Sequence, residues 1–274
     1  MKRTAVFPSL IRDIRKYWAI FRTQLVNSLA YPLDLLSRSF SMVLFMWIFA
    51  QLWRTTYSAS GQESIAGLSL NDTLWYLMMA ETIILSKPRI STQVAEAVKD
   101  GSIAYNLNKP YNFILYHFSV SFGDSLLRLV PNALIGSLVV WRLAGPPPAT
   151  RGWPLVFVAV LAALAIDFCI NAMIGMLAFI TEEIRAFEWI YAKFILILGG
   201  VLIPLDFFPE WLKTAALSLP FAYTTYGPAR LFIDPDWDRF VTLISRQGAW
   251  LLVCGGILAL IYRKGTSQLA INGG

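Results

Sequence analysis

Between Trp153 and Ile180 the chain carries a single charged side chain, Asp167, in 28 residues. A helix of that length reaches about 42 Å, more than the ~30 Å of hydrocarbon in a bilayer. Further apolar runs lie at 34–53, 71–86, 113–141, 190–204 and 247–262, separated by charged or proline-rich breaks. Long apolar runs of this kind read as membrane spans. The expected fold is an all-α integral membrane protein with six transmembrane helices, forming one domain over residues 1–274. A soluble protein with a greasy core is the alternative, and composition disfavours it. The chain is 57% hydrophobic and 15% charged, where a soluble domain carries about 25% charge.

The formal charge of +6 is spread along the flanks of the apolar runs, which makes it a topology signal and not a nucleic-acid footprint. With both termini in the cytosol, the cytosolic segments hold fourteen Lys and Arg and the outer segments seven. That bias follows the positive-inside rule. Residues 9–29 place Ile11, Ile14, Trp18, Phe21 and Leu25 at helical spacing among Arg12, Arg15, Lys16 and Arg22. This pattern predicts a basic amphipathic helix lying along the membrane surface. No cleavable signal peptide is expected from the N-terminus, because no uninterrupted apolar region or small-residue cleavage site follows it. Cys169 and Cys254 both fall inside apolar runs, so neither a disulfide nor a metal site is expected.

Two breaks stand out. After span two comes STQVAEAVKDGSIAYNLNKP, in which Ser91 can cap a short helix and Gly101 suits its C-terminal end. After span five comes VLIPLDFFPEWLKTAALSLPF (Val201–Phe221). Pro204 ends the span, Pro209 fits the first turn of a new helix, and Pro220 closes it. From Phe208 to Ser218 that helix reaches roughly 16 Å, too short to cross. Leu212 shares an apolar face with Ala215, Ala216 and Leu219, while Glu210 and Lys213 lie opposite. Two readings remain open: a re-entrant hairpin over 205–234, broken again at Gly227-Pro228, or an interfacial helix lying flat outside the membrane.

The residues Gly-Gly-Val-Leu-Ile-Pro-Leu-Asp-Phe-Phe-Pro-Glu-Trp-Leu, followed by Leu-Pro-Phe, resemble the ABC-2-type permeases, the membrane subunits of a class of ATP-driven exporters. GSIAYNLNKPYNF is similar to that family's turn into span three, and YWAIFRTQL with LAYPLDLL resembles its short six-span branch. The likeness runs from about Tyr17 to Tyr262 and rests on the order of features. It implies that Pro204, Asp206, Pro209, Trp211, Leu212 and Pro220 belong to a re-entrant hairpin closing the outer exit. It also implies that residues 91–104 form a coupling helix docked on an ATPase. Val94, Ala97 and Val98 would then seat in the partner's groove, Glu96, Lys99 and Asp100 would orient it at the rim, and Gly101 would hold the turn. Two ATP-binding cassette subunits, a second permease and membrane lipids are the implied partners. ATP and Mg would be bound by the ATPases, with no cofactor on this chain. The implied location is the bacterial plasma membrane, and the implied cargo a lipid-like or amphipathic molecule moved outward.

The chain has no GxxxxGK[ST] phosphate loop, which fits an energy source on another chain. HExxH and GxSxG are also absent and His117 stands alone, which argues against an intramembrane enzyme and a metal centre. An ion-coupled carrier or channel built on Asp167 and Glu81 is the other rival. Intramembrane charges are costly and usually paired or functional. Asp124 and Arg128 have the spacing of a helical pair, and Glu81 has Arg38 as its candidate partner. Asp167, Asn171 and Gly175 share one face of span four. That stripe either lines a pathway or packs between helices with Asp167 reaching Arg128.

Overall fold

The computed structural model describes residues 6–30, 32–88, 90–107, 109–148, 152–181 and 183–272, without the side chains of 6–11, 32–39, 104, 106–107 and 267–272. In chain order these form α1 (Val6–Leu29), α2 (Pro32–Ser60), a hairpin of β1 (Ser64–Ile65) and β2 (Leu68–Ser69), α3 (Leu70–Leu85), α4 (Ile90–Lys99) and α5 (Ser102–Leu107). Then follow α6 (Phe113–Ala144), α7 (Trp153–Met176), α8 (Arg185–Leu198), α9 (Glu210–Leu217), α10 (Pro220–Thr224), α11 (Tyr226–Ile233) and α12 (Trp237–Asn272). The described part of the chain is all-α apart from that one hairpin.

The core is organised around α7. Its apolar stretch is 67% buried, against 17% for those of α6 and α12. α4, α11 and α12 pack on α7, while α2, α3 and α6 form a second group, and α11 wedges between α3 and α7. α1 runs beside the first turns of α6 in the same direction. Lys16 donates to the Pro110 carbonyl at 3.0 Å, the Asn112 N–H donates to the Tyr17 hydroxyl at 2.8 Å, and Gln24 and Ser28 both donate to Asp124 at 2.8 Å. Asp124 is thus engaged by α1.

α6, α12 and α7 with its closing 3-10 turn to Phe179 are long and apolar enough to cross a membrane. α3 and α8 have 16 and 14 residues, which reach about 24 and 21 Å. Large apolar side chains face outward on α2, α6 and α12, among them Phe40, Trp47, Leu134, Leu138, Leu252 and Leu260. Exposed apolar surface this extensive suits contact with lipid.

Local chemistry explains where the elements depart from the expected boundaries. α3 starts with a reciprocal cap: the Ser69 hydroxyl accepts the Asp72 N–H at 3.1 Å, and the Asp72 carboxylate accepts the Ser69 N–H at 3.0 Å. That box satisfies two donors which would otherwise lack partners. α2 continues past 53 to Ser60 because Tyr57 docks on the next element, donating to the Leu68 carbonyl at 2.8 Å. α8 stops at Leu198, six residues before Pro204. Gly200 adopts φ +70°, and a Cβ there would meet the Tyr76 hydroxyl at 2.6 Å. That hydroxyl donates to the Gly200 carbonyl at 2.6 Å. The glycine pair, and not the proline, therefore ends the helix. α12 begins ten residues before 247, because the Asp236 carboxylate accepts the Arg239 N–H at 3.1 Å and caps it.

The coupling segment expected over 91–104 is two helices. Gly101 turns the chain between α4 and α5 with φ +73°. In the broken stretch Pro209 precedes α9 as its cap, so α9 spans eight residues. The second break falls at Thr225, between α10 and α11, with Gly227-Pro228 in the first turn of α11. Proline is tolerated there because the first-turn N–H groups need no intrahelical partner.

Candidate functional site

A cluster of polar side chains lies where the end of α3, α4, α7 and α8 meet. Lys87 leaves α3 and reaches Asp167 on α7, with Nζ 2.7 Å from Oδ1. The two side chains are 12% and 4% exposed, and the contact is an ion pair more than an aligned hydrogen bond. Asp167 is further held by the Tyr191 hydroxyl, which donates to Oδ1 at 2.5 Å, and by the Asn171 amide, which donates to Oδ2 at 3.0 Å. A buried carboxylate needs this degree of compensation, since an uncompensated charge there would cost several kcal/mol. Lys87 is therefore a cation paired with Asp167, the place that the packing reading gave to Arg128. Asn171 lies one turn along α7 from Asp167 and bonds it directly. Glu81 is 3% exposed on α3, and its expected partner Arg38 lies outside the described side chains.

A second carboxylate, Glu188 on α8, fastens α4. Its Oε1 accepts from the Ser91 hydroxyl at 2.6 Å and the Thr92 hydroxyl at 3.0 Å. Ser91 thus spends its hydroxyl on α8 and does not cap α4. On the neighbouring side α4 lies against Gly175 of α7, where an added Cβ would fall 2.7 Å from the Ser91 carbonyl and from Val94 Cβ. Only a residue without a side chain permits that approach. The third member of the predicted stripe is therefore a packing position for α4.

These groups line a cavity of about 390 Å³ whose polar wall is Lys87, Asp167, Asn171 and Glu188 and whose apolar wall includes Ile84, Ile195 and Leu196. A charged wall facing an apolar one can accommodate both ends of an amphipathic molecule.

α4 itself turns its apolar side inward. Val94 is 0% exposed, packed on Gly175, and Val98 is partly buried against the same core. Val94 is thus already covered by its own chain, contrary to the expectation that it faces a partner. Gln93, Glu96, Lys99 and Asp100 are the exposed side. Asp100 braces the turn by accepting the Ser102 N–H at 2.8 Å, and that bond holds its carboxyl below the usual carboxylate range.

At the other end of α3 the segment 205–234 is anchored unevenly. Trp211 is 72% exposed and Leu212 partly so, whereas Ala222, Tyr223, Ala229 and Leu231 of the returning arm are buried. Asp206 sits between the arms. It accepts from the Tyr226 hydroxyl at 3.2 Å and lies 3.4 Å from Arg230 Nε and 3.8 Å from Lys213 Nζ. Pro204 is buried beside it, and Pro220 opens α10.

Lys87, Glu188 and Tyr191 were not singled out from the sequence. Lys87 reads as a charge ending a span, Glu188 as part of a polar break, and Tyr191 as one more apolar residue. Their roles come from neighbours 80, 97 and 24 positions away.

A family model described as ABC-2 family transporter protein matches residues 42–273. No curated protein matches the chain.

Proposed function

The chain belongs to the ABC-2 family of transporter proteins, and from that premise we propose that it is the six-span permease subunit of an ATP-driven exporter. α2, α3, α6, α7, α8 and α12 are its spans, both termini are cytosolic, and the cargo is a lipid-like or amphipathic molecule. Energy comes from two ATP-binding cassette subunits, which bind ATP and Mg, acting beneath a pair of permeases. α4 receives their motion through Glu96, Lys99 and Asp100, the side it leaves exposed.

The observation that carries this reading is the double attachment of α4. A helix seated on α7 through Gly175 and tied to α8 through Glu188 cannot shift without moving both. ATP-driven closure of the partner subunits would therefore be delivered to the walls of the inner cavity. The hairpin 205–234 stands at the opposite end of α3, where it would close the outer exit until α8 moves.

The test uses the chain coexpressed with an ATP-binding cassette subunit and reconstituted in liposomes. Glu188→Gln keeps the size of the side chain but weakens two charge-assisted bonds, each worth about 1.5–3 kcal/mol in total strength. Cargo moved per ATP hydrolysed should fall while the ATPase still copurifies. Charge reversal at Glu96 and Lys99 should instead weaken copurification. Cysteines at Ser60 and Asp236 should label from outside intact cells and one at Ser102 should not. Transport by the purified chain without any ATPase would overturn the reading.

A further inference from the structure

A groove of about 510 Å³ runs between α2 and α6 on the outside of the chain. Phe40, Leu44 and Trp47 of α2 and Leu138 of α6 are exposed along it, with Val139 partly buried between them. The wall on α2 extends about 10 Å, two-thirds of the ~15 Å of hydrocarbon in one leaflet. The two helices run in the same direction here, since Met42 packs on Gly136 and Arg54 reaches Leu143.

One end of this apolar groove is cationic. Arg142 lines it, and its side chain is exposed. A lining arginine covers apolar surface with its stem and keeps its head in the polar layer. Arg54 donates to the carbonyl of Leu143, which lines the same end. A guanidinium has five N–H donors, so that bond leaves donors to spare. Trp141 is exposed beside Arg142, and tryptophan with arginine at the end of an apolar helix marks the level of the lipid headgroups.

The charge there is not balanced by the chain. Among the described residues no carboxylate forms an ion pair with Arg54 or Arg142. Asp72, at the adjoining start of α3, is taken up by the Ser69 N–H and hydroxyl at 3.0 and 2.7 Å. The C-terminus of α6 supplies about half a negative charge, against two full positive ones.

Those two features select the occupant. A soluble anion would answer the arginines but leave the apolar wall uncovered. A zwitterionic lipid would cover the wall but bring its own cation to the arginines. A second copy laid on the same face would add two more arginines and no acid. An anionic phospholipid meets both needs, because its acyl chain covers the wall and its phosphate accepts from guanidinium donors. We propose that this groove holds one anionic phospholipid, with an acyl chain between α2 and α6 and the phosphate at Arg142 and Arg54. The site requires only that the chain is embedded in a membrane, and it does not depend on the cargo or direction of transport.

The test uses the full chain, purified in an uncharged detergent and stripped of lipid. Phosphatidylglycerol and phosphatidylcholine with the same acyl chains are titrated separately, and bound lipid is counted by native mass spectrometry. The first phosphatidylglycerol should bind about tenfold more tightly than phosphatidylcholine, the difference expected for one charge-assisted contact. Arg142→Gln should remove most of that preference without lowering the unfolding temperature, since the side chain is exposed. Arg263→Gln removes an equal charge from an exposed position of α12 outside the groove and should leave the preference intact. Val43→Trp fills the groove and should weaken both lipids several-fold. The proposal fails if the two lipids bind alike, if the two arginine variants lose the same preference, or if glycerol phosphate binds as tightly as the whole lipid. Crosslinking of two copies through a cysteine at Leu138 would place a second copy in the groove and overturn it as well.

Discussion

α4 and α9 are short amphipathic helices at opposite ends of α3, and they are held in contrary ways. α4 buries Ile90, Ser91, Val94 and Ala95, and two of its hydroxyls are bonded to another helix. α9 buries only Ala216, and its terminal Ser218 hydroxyl bonds within its own turn. Amphipathic spacing predicts that each has an apolar face but is silent on what covers it. In α4 the cover is α7 of the same chain, which leaves a polar face outward. In α9 a tryptophan remains exposed, and the segment is anchored by α10 and α11, which follow. A rigid element on one side and a lightly held one on the other suit a lever and a gate respectively.

The hardest blow to this contrast falls on the pair beneath α4. Asp167→Ala should strand the Lys87 ammonium and cost about 3–5 kcal/mol, seen as a lower unfolding temperature and yield. Adding Lys87→Met should recover much of the loss. If Arg128→Ala rescues instead, the ion pair described here is the wrong one.

Next in size is Gly175→Val. Its Cβ meets the Ser91 carbonyl and Val94 at 2.7 Å, and overpacking of that kind costs roughly 1–3 kcal/mol. Gly101→Val, where no atom lies within 4 Å, bears only the positive-φ penalty of about 1–2 kcal/mol. Gly175→Val should also lift α4 off α7, detectable as loss of a Val94–Gly175 region crosslink. Equal protease protection of α4 in both variants would mean that it is not seated through Gly175.

A smaller effect is expected at α9. Trp211→Asp and Leu212→Asp should each lower global stability by no more than about 1 kcal/mol, since α9 meets the core mainly through Ala216, yet reduce transport because a charge resists entry into the leaflet. Glu210→Asp is the control. Equal transport in all three would make α9 a solvated loop.

The smallest effect concerns the turn after α4. The Ser102 N–H holds the Asp100 carboxyl below its usual range, so the bond contributes fully at neutral pH and is lost as pH falls through that lowered value. Exchange of the Ser102 amide should therefore speed up only at a pH below the ordinary aspartate range, after correction for intrinsic rates. Asp100→Asn should abolish the pH step.

The positions of the helices were legible because hydropathy and charge act along the chain. The fold class, the start of α6 after Asn112 and the turn at Gly101 follow from residues adjacent to them. Helix ends set by partners were not legible. Nothing near Gly200 announces that Tyr76 waits 124 positions upstream to hold its carbonyl, so Pro204 looked like the stop. The site was legible in part for the same reason. Asp167 and Asn171 stand out as polar residues in an apolar run. Lys87 and Glu188 sit in polar breaks, where a charge carries no surprise, and Val94 has the same hydrophobicity whichever side covers it.

The unequal lengths of the helices have a consequence for the lipid around them. If α3 and α8 are spans as proposed, then at about 24 and 21 Å they would draw the bilayer headgroups inward beside them by several ångströms. The bilayer can stay at full thickness beside α6 and α12, which have 32 and 36 residues. The elastic cost is a fraction of a kcal/mol per ångström, and in return a polar group travelling past α8 has less oil to cross. The chain would thus carry its own dimple in the membrane, and activity in vesicles should fall as the lipid acyl chains are lengthened.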